Sequence, residues 1–223
     1  RLPPDELHAV RERSRRFMAA AIPGVREAAR QLDRSGNMVL LCDPHGIVIG
    51  QFGDPATMDR GHENNLFLGG RWSERDIGTN AIGIALQSGR ASRVIGAEHY
   101  AEAIHRWSCA ATPVHDPETG TLLGVINISW PAELQRSAVE ALSALLGYQA
   151  ELSLHQQQAH ERSKLIEVAH ERRILRGNAP VMMLDRQGKM VFGREESSGA
   201  LPAAMLREHL VPLMPDLLQA GPE

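Results

Sequence analysis

The stretch "GGRWSERDIGTNAIGIAL", from Gly69 to Leu86, decides how this chain is interpreted, because its glycines admit two different roles. A phosphate-binding loop of the P-loop type needs a lysine after its second glycine, and none is present. A dinucleotide-binding loop needs G-x-G-x-x-G directly after a strand, a spacing that these glycines do not have. The stretch is therefore interpreted as a capped segment that leads into a helix, with Trp72 as a large apolar group suited to closing a pocket.

Two capping patterns lie inside this stretch. Ser73 followed by Asp76 resembles a capping box that opens one helical turn. Thr79 or Asn80 is expected to cap the next helix, "AIGIALQSG", which ends at Gly89. The glycines between these caps are expected to permit close approach to a neighbouring sheet.

The segments on either side of this stretch have the pattern of strands. "NMVLLCDPHGIVIGQFGD", which begins at Asn37, is two apolar runs around a turn, and the first run is expected to be buried on both faces. "SCAATPVHDPETGTLLGVINIS", which begins at Ser108, repeats that plan. A third strand is expected at Ala91–Ala97 and a short helix at Glu98–Trp107. Five strands with two clear hairpins predict an α+β fold, with a central antiparallel sheet flanked by helices.

Periodicity divides the chain into four segments. The first is helical, and "IPG" at Ile22–Gly24 interrupts it, so that two helices or one kinked helix are expected. A later helical run extends from Ala132 to about Leu175, and its thin apolar positions at seven-residue spacing fit either a weak coiled-coil seam or a solvated connector. The predicted segments are an N-terminal helical segment (1–36), a central α+β domain (37–131), a connector or dimerisation helix (132–176) and a partial module of a hairpin plus a helix (177–223).

Composition narrows the classes of function. The chain has 223 residues and a formal net charge of -3, so no basic field indicates nucleic-acid binding. Its two cysteines, Cys42 and Cys109, are too few for a disulfide framework; they indicate a reduced, cytoplasmic compartment and are expected in strand cores. No apolar run approaches the roughly 18–20 residues needed to cross a bilayer, so no membrane contact is expected. Because the chain begins with Arg1 rather than Met, it is expected to be a fragment of a longer protein.

The ionisable residues show no motif of a catalytic site or of a compact structural zinc site. His99, His105 and Cys109 have the spacing H-x5-H-x3-C, which matches no compact structural zinc site, and a pocket wall, structural histidines and a metal site all remain open for them. No nucleophile–base or carboxylate pair has a motif-like spacing, so no enzyme, catalytic residue or cofactor is expected. "HENN" at His62–Asn65 is interpreted as a solvated loop.

Several motifs carry a resemblance to a known family. "RWSERDIGTNAIGIALQSG", "GAEH" and "RWSCAATPVHDPETGTLLGV" resemble the GAF domain of bacterial transcriptional activators, in particular the acetoin- and glycerol-metabolism regulators, which carry "WSE-x-x-x-GTNAIGTAL", "GAEH" and "W-x-C-x-AAPI-x-DP-x-TG-x-LLGV". The resemblance spans roughly residues 37–131 and departs from the family pattern at Ile84, Ala101 and Arg106. It implies a small-molecule pocket on one face of the sheet, under a lid, and terminal helices of two chains packed into a dimeric bundle.

The resemblance implies a cytoplasmic sensory domain of a transcriptional regulator. A small-molecule effector would occupy a pocket between the sheet and the Trp72–Leu86 lid, and occupancy would be relayed through the bundle of a homodimer to an output module. DNA is expected to be contacted only through a module outside this chain. One alternative is a dimerisation or protein-interaction scaffold, which a pocket filled by its own side chains would favour; another is a metal- or haem-dependent sensor. The residues expected to line the pocket are Trp72, Thr79, Asn80, His99, Tyr100, His105, Trp107 and Cys109.

Overall fold

The computed structural model describes residues 1–31, 36–134, 138–171, 181–185 and 190–194. The α-helices in these residues are α1 (Pro4–Arg13), α2 (Arg15–Gln31), α3 (Pro55–His62), α4 (Glu74–Ile77), α5 (Ala81–Ser88) and α6 (Ala138–Glu171). The strands are β1 (Met38–Cys42), β2 (Val48–Gly53), β3 (Ser92–Ile95), β4 (Trp107–His115), β5 (Leu122–Pro131), β6 (Val181–Leu184) and β7 (Met190–Arg194). The chain separates into two compact units, Arg1–His155 and Gln156–Glu223.

The first unit is built on a sheet of five strands in the order β2-β1-β5-β4-β3. Each pair of neighbours is antiparallel, and β4 and β5 form the longest pairing, from Trp107 opposite Pro131 to His115 opposite Leu122. Every residue of β1 is buried, as expected of a strand covered on both faces. The predicted α+β fold with a central antiparallel sheet flanked by helices is therefore confirmed.

Alternation of side chains along the strands creates two apolar layers, one on each face of the sheet. We call the first the helix layer, because in it the sheet packs against α1, α2 and the first turns of α6. Phe17 and Val25 of α2 and Leu146 of α6 are buried there. The sheet contributes Val39, Leu41, Ile49, Ala110, Val114, Ile126, Ile128 and Trp130 to the helix layer.

The opposite face forms the lid layer, which lies beneath the Trp72–Leu86 lid. α5 packs on β4 and β5 in this layer, and Ala81, Ile82 and Ala85 are its buried residues there. The other members of the lid layer are Met38, Leu40, Cys42, Val48, Leu66, Trp72, Val94, Ile104, Trp107, Cys109, Ala111 and Val125. Both cysteines are buried, free thiols in strands, as predicted.

The N-terminal helical region breaks at a different residue from the one predicted. α1 ends at Arg13 and α2 begins at Arg15, whereas Pro23 lies inside α2. The break falls at Ser14, whose φ of -90° and ψ of 8° leave the helical region. α2 continues through the proline because one of its faces, which includes Phe17, is buried against the sheet, and this packing outweighs the hydrogen bond that proline cannot donate.

The segment after β3 differs from the prediction, and the second unit agrees with it as far as it is described. The helix predicted at Glu98–Trp107 is replaced by two short 3-10 turns, Gly96–Glu98 and Glu102–Ile104, and Trp107 is the first residue of β4. In the second unit β6 and β7 pair antiparallel, where a hairpin is predicted; the helix predicted after it lies outside the described residues. None of the described helices is both long and apolar enough to span a bilayer.

Candidate functional site

Asn80 holds the start of α5 by two hydrogen bonds. Its Oδ1 accepts from the backbone N–H of Gly83 at 2.9 Å, and its Nδ2 donates to the carbonyl of Gly78 at 2.8 Å. The side chain is buried, and α5 ends at Gly89 in the left-handed region, with φ of 64°. Of the two predicted caps, Thr79 or Asn80, the structure confirms Asn80.

The start of α4 differs from the predicted capping box. Ser73 Oγ donates to the carboxylate of Asp76 at 2.6 Å, and no side chain caps the backbone of α4. Gly83 is expected from the sequence to allow close approach to the sheet, but its close neighbour is the first residue of α4. A Cβ at Gly83 would lie 2.8 Å from the backbone nitrogen of Glu74, so this glycine allows α5 to pack directly against α4.

Two of the expected pocket residues lie on the outer surface of the lid. Tyr100 is 79% exposed, and its ring covers Gly78, where an added Cβ would lie 2.5 Å from the ring. Its backbone N–H donates to the carbonyl of Thr79 at 3.0 Å, and the Thr79 side chain is exposed. Thr79 and Tyr100 therefore connect the corner before α5 to the segment after β3, and neither side chain faces the lid layer.

The two tryptophans of the lid layer are held by one turn, the α3 turn (Glu63–Asn65). Trp72 Nε1 donates to the backbone carbonyl of Asn65 at 2.9 Å, and Trp107 Nε1 donates to Asn64 Oδ1 at 3.1 Å. Each tryptophan is 2% exposed. The "HENN" segment, interpreted from sequence as a solvated loop, is thus partly exposed but also supplies the hydrogen-bond acceptors for both indoles.

The two histidines predicted to line the pocket, His99 and His105, form hydrogen bonds to the backbone of the segment between β3 and β4. His99 is buried, with Nδ1 2.9 Å from the carbonyl oxygen of Gly96, and His105 Nε2 lies 2.9 Å from the carbonyl oxygen of His99. Burial lowers the pKa of His99, so its neutral form is favoured. Within the described part of the chain, no three His, Cys, Asp or Glu side chains converge as a metal site would require.

β5 places polar side chains in the lid layer. Asn127 and Ser129 alternate with the isoleucines of "GVINIS" and therefore share the face of Val125. Asn127 Nδ2 donates to Ser129 Oγ at 2.8 Å, and Cys109 Sγ lies 3.3 Å from the same oxygen. We call Asn127, Ser129 and Cys109 the polar trio. Cys109 and Ser129 are directly opposite in the β4–β5 pairing, and this register brings the trio together.

The polar trio does not satisfy its own hydrogen-bonding capacity. Asn127 is 0% exposed and its Oδ1 has no hydrogen-bond partner, while its neighbours across the sheet, Leu40 and Ala111, are apolar. A buried acceptor left unpaired costs about 1–3 kcal/mol. Burial raises the pKa of the Cys109 thiol to about 12, so the thiol is neutral. Sequence reasoning does not single out Asn127 and Ser129, although polar residues at alternate positions of a buried strand are the signal for them.

The structure brings together only some of the expected pocket residues. Trp72, Trp107 and Cys109 meet in the lid layer, while Asn80 and His99 are buried in the segments that border it. The side chains of this layer are buried. An open groove of about 370 Å³ lies instead at the surface, between the β1–β2 turn and the helices α4 and α5, with His45 and Glu74 among its lining residues.

Comparison with known proteins places this architecture in a family. The family described as "MimR, N-terminal domain" matches residues 4–151. The acetoin dehydrogenase operon transcriptional activator AcoR of Bacillus subtilis is 33% identical over 156 residues, which cover 70% of this chain and 26% of AcoR. The propane 2-monooxygenase operon transcriptional activator MimR of Mycolicibacterium smegmatis is 31% identical over 136 residues, which cover 60% of this chain and 23% of MimR.

A solved structure supports the same fold. The crystal structure of the Escherichia coli DhaR(N)–DhaL complex matches with a TM-score of 0.73 and 20% identity, covering 86% of this chain and 65% of that chain. The expected GAF-like fold and the kinship with operon activators are thereby confirmed. AcoR and MimR are named as transcriptional activators, not as enzymes, in agreement with the sequence expectation. The chain spans about a quarter of the length of these curated relatives, at 26% and 23%.

Proposed function

The chain belongs to the family of MimR N-terminal domains, and from that premise we propose that it is the sensory region of a transcriptional regulator, with an effector site in the lid layer. The relatives are named for operons that concern acetoin, propane and glycerol, all small uncharged molecules. An effector of similar size is proposed for this chain. Contact with DNA is proposed for a part of the regulator outside these residues.

The polar trio is the observation that carries this proposal. It lies on β4 and β5, the two strands that α5 covers, among the buried apolar residues of the lid layer. An apolar side chain of the same size at Asn127 would avoid the penalty of an unpaired buried oxygen. Natural proteins keep such penalties mainly where function needs them. A ligand that pairs with the trio accounts for its presence.

A relay from this layer to α6 is supported by hydrogen bonds on the other face of the same strands. The hydroxyl group of Ser143 in α6 lies within hydrogen-bonding distance of two carbonyl oxygens, that of Ala110 at 3.3 Å and that of Ile126 at 3.4 Å. Ala110 directly follows Cys109, and Ile126 directly precedes Asn127. A shift of β4 or β5 caused by an occupant of the lid layer therefore acts directly on the anchor of α6. Such a shift requires that the effector prefer one of the two states.

The proposed homodimer is supported by an apolar stripe on α6. Leu145, Tyr148 and Leu152 are 60%, 64% and 42% exposed, and their spacing of three and four residues places them on one face of the helix. A second copy of the chain would cover this stripe. Replacing Leu145 and Leu152 together by Gln should convert a dimer into a monomer in analytical ultracentrifugation, and a wild-type chain that sediments as a monomer at all concentrations would contradict the dimer.

Hydrogen–deuterium exchange tests the effector site. The chain is labelled with and without a mixture of acetoin, glycerol and dihydroxyacetone at millimolar concentration. We expect slower exchange in α5, β4 and β5 and a change in the first turns of α6. The same labelling of Trp72→Ala should lose the protection, because the lid loses the ring that closes the layer. Protection confined to the surface groove near His45 and Glu74, or no protection with any compound, would refute an effector site in the lid layer.

A protein-interaction scaffold is the second candidate function. The burial of the lid layer favours it, since both tryptophans are 2% exposed. DhaR(N) occurs in a complex with the protein DhaL, so a region of this fold can present a protein-binding surface. A scaffold predicts that no small molecule slows exchange in the lid layer, whereas an effector site predicts slower exchange in α5, β4 and β5.

A further inference from the structure

We propose that the lid layer binds a small, uncharged molecule that carries a hydroxyl group, and that the side-chain amide of Asn127 selects it. This inference rests on the proposed function, because it names the ligand class of the same site. Three observations carry it: the unpartnered amide oxygen of Asn127, the absence of buried Lys or Arg side chains from the described residues, and the burial of two tryptophans in the layer.

The hydrogen-bonding capacity of Asn127 defines the group it needs. The amide has two N–H hydrogens and an acceptor oxygen, and only one N–H is used, toward Ser129 Oγ. A hydroxyl group is both donor and acceptor, so it can donate to Oδ1 and accept from the remaining N–H. If the amide is turned over, an N–H group is left unpaired instead, and a ketone oxygen accepts from it as well as a hydroxyl does, so the butanone comparison below also tests the orientation of the amide. A ketone has no hydrogen to donate, and an alkane meets neither need.

The surroundings of the polar trio exclude charged ligands. Among residues whose burial the structure describes, no Lys or Arg is buried, so nothing there compensates a carboxylate or a phosphate. Two buried carboxylates of the first unit already have partners. Asp43 accepts hydrogen bonds from the backbone N–H groups of His45 and Ile47 within its own turn, and Asp116 forms an ion pair with Arg16 at 3.3 Å. The Cys109 thiol is neutral. An ion beside Asn127 would therefore be buried without an opposite charge.

Closure of the layer limits the size of the ligand. Trp72 and Trp107 are almost fully buried, and Ala81, Ile82 and Ala85 of α5 pack directly above the sheet. Protein interiors are close-packed, so each added heavy atom requires a further outward shift of α5. A hydroxyl compound with a short carbon skeleton makes the smallest demand on the lid while still reaching Asn127.

Matched four-carbon probes test the ligand class. Thermal melting of the full chain is recorded with 2,3-butanediol, acetoin, butanone and 2-hydroxybutyrate, which share a skeleton but differ in hydroxyl and charge. We expect butanediol and acetoin to raise the melting temperature in a saturable manner. Butanone lacks the hydroxyl, so a roughly ten-fold higher concentration of it should be needed for the same rise in melting temperature, as expected for one lost hydrogen bond. The anionic 2-hydroxybutyrate should give no shift.

Two variants test whether Asn127 is responsible for the rise in melting temperature. Asn127→Leu should lose the shift with butanediol, while the unliganded variant melts at the same or a higher temperature because the unpaired oxygen is gone. Ser108→Ala is the matched control: Ser108 is also buried with an unpartnered hydroxyl, but it belongs to the opposite face of β4, so the response should be kept. If Asn127→Leu does not fold, Ser129→Ala replaces it and should weaken the response at least several-fold.

The outcomes separate this inference from the proposed function. If butanone matches butanediol, or if Asn127→Leu keeps the full response, the ligand class is wrong, although an effector site in the lid layer still stands. If none of the neutral probes shifts the melting temperature and hydrogen–deuterium exchange shows no protection with any compound, both are overturned. A response lost equally in Ser108→Ala and Asn127→Leu would mean that general destabilisation, not selection by the amide, explains the result.

Discussion

Substitution of Asn80 is the sharpest stability test that the structure offers, because its side chain makes two hydrogen bonds in a buried position. Asn80→Ala removes the acceptor for the N–H of Gly83 and the donor to the carbonyl of Gly78. Loss of an N-cap costs about 1 kcal/mol, and loss of the second bond costs about 1 kcal/mol more. The free energy of unfolding should therefore fall by about 2 kcal/mol.

The fall corresponds to a melting temperature lower by about 4–8 °C for a chain of this size. All three tryptophans lie within Arg1–His155, so tryptophan fluorescence during urea or thermal unfolding reports on the first unit. Asn80→Asp keeps the acceptor and loses the donor, and should recover about half of the lost stability.

Thr79→Ala is the matched control for this measurement. Thr79 precedes Asn80 directly, but its side chain is exposed and only its backbone carbonyl is bonded, to the N–H of Tyr100. Its replacement should change the free energy of unfolding by less than about 0.5 kcal/mol, as is usual at the surface. Equal effects of Thr79→Ala and Asn80→Ala, or a change of less than 1 °C in Asn80→Ala, would refute the assignment of the cap.

Two further predictions concern titratable groups. Burial lowers the pKa of His99 below its ordinary value of about 6.5, so the unfolded chain binds more protons there and stability falls as pH drops from about 7 to 5. His99→Asn should reduce this loss in urea unfolding, whereas the exposed control His155→Asn should follow the wild type; equal slopes in all three proteins would contradict the prediction. Burial also raises the pKa of Cys42 and Cys109, so neither thiol should react with a chromogenic disulfide at pH 8 in the native chain, and both should react in guanidinium. Rapid native labelling of either thiol would show that the lid layer opens to solvent.

Much of the first unit can be predicted because its signals are local. The turns "DPHG" and "DPETG" separate apolar runs of strand length, and Asn80 stands directly before a helix that Gly89 ends. These features depend on a few neighbouring residues and on general turn and cap chemistry. Pro23 shows the limit of such reasoning, because packing of α2 against the sheet overrides a local breaker.

The candidate site is harder to predict because it depends on contacts between distant residues. Cys109 and Ser129 are twenty positions apart, and they meet only through the register of β4 and β5. The hydrogen bonds to the two tryptophans depend on a turn in which Asn65 adopts φ of 61°, a conformation that non-glycine residues seldom adopt. Spacing along the chain therefore finds Trp72 and Cys109 as individual residues but misses Asn127, which shares the hydroxyl of Ser129 with Cys109.

The α3 turn would control how quickly the proposed sensor responds to its effector. Because the two indoles donate to Asn64 and Asn65, release of the lid and release of the first residue of β4 depend on two adjacent residues of one turn. Neither of these two hydrogen bonds involves a residue of the polar trio that would select the effector. Changes in the turn would thus alter how often the layer opens, and with it the speed and threshold of the response, without altering which molecule is recognised. Timing and specificity can vary independently in such a domain.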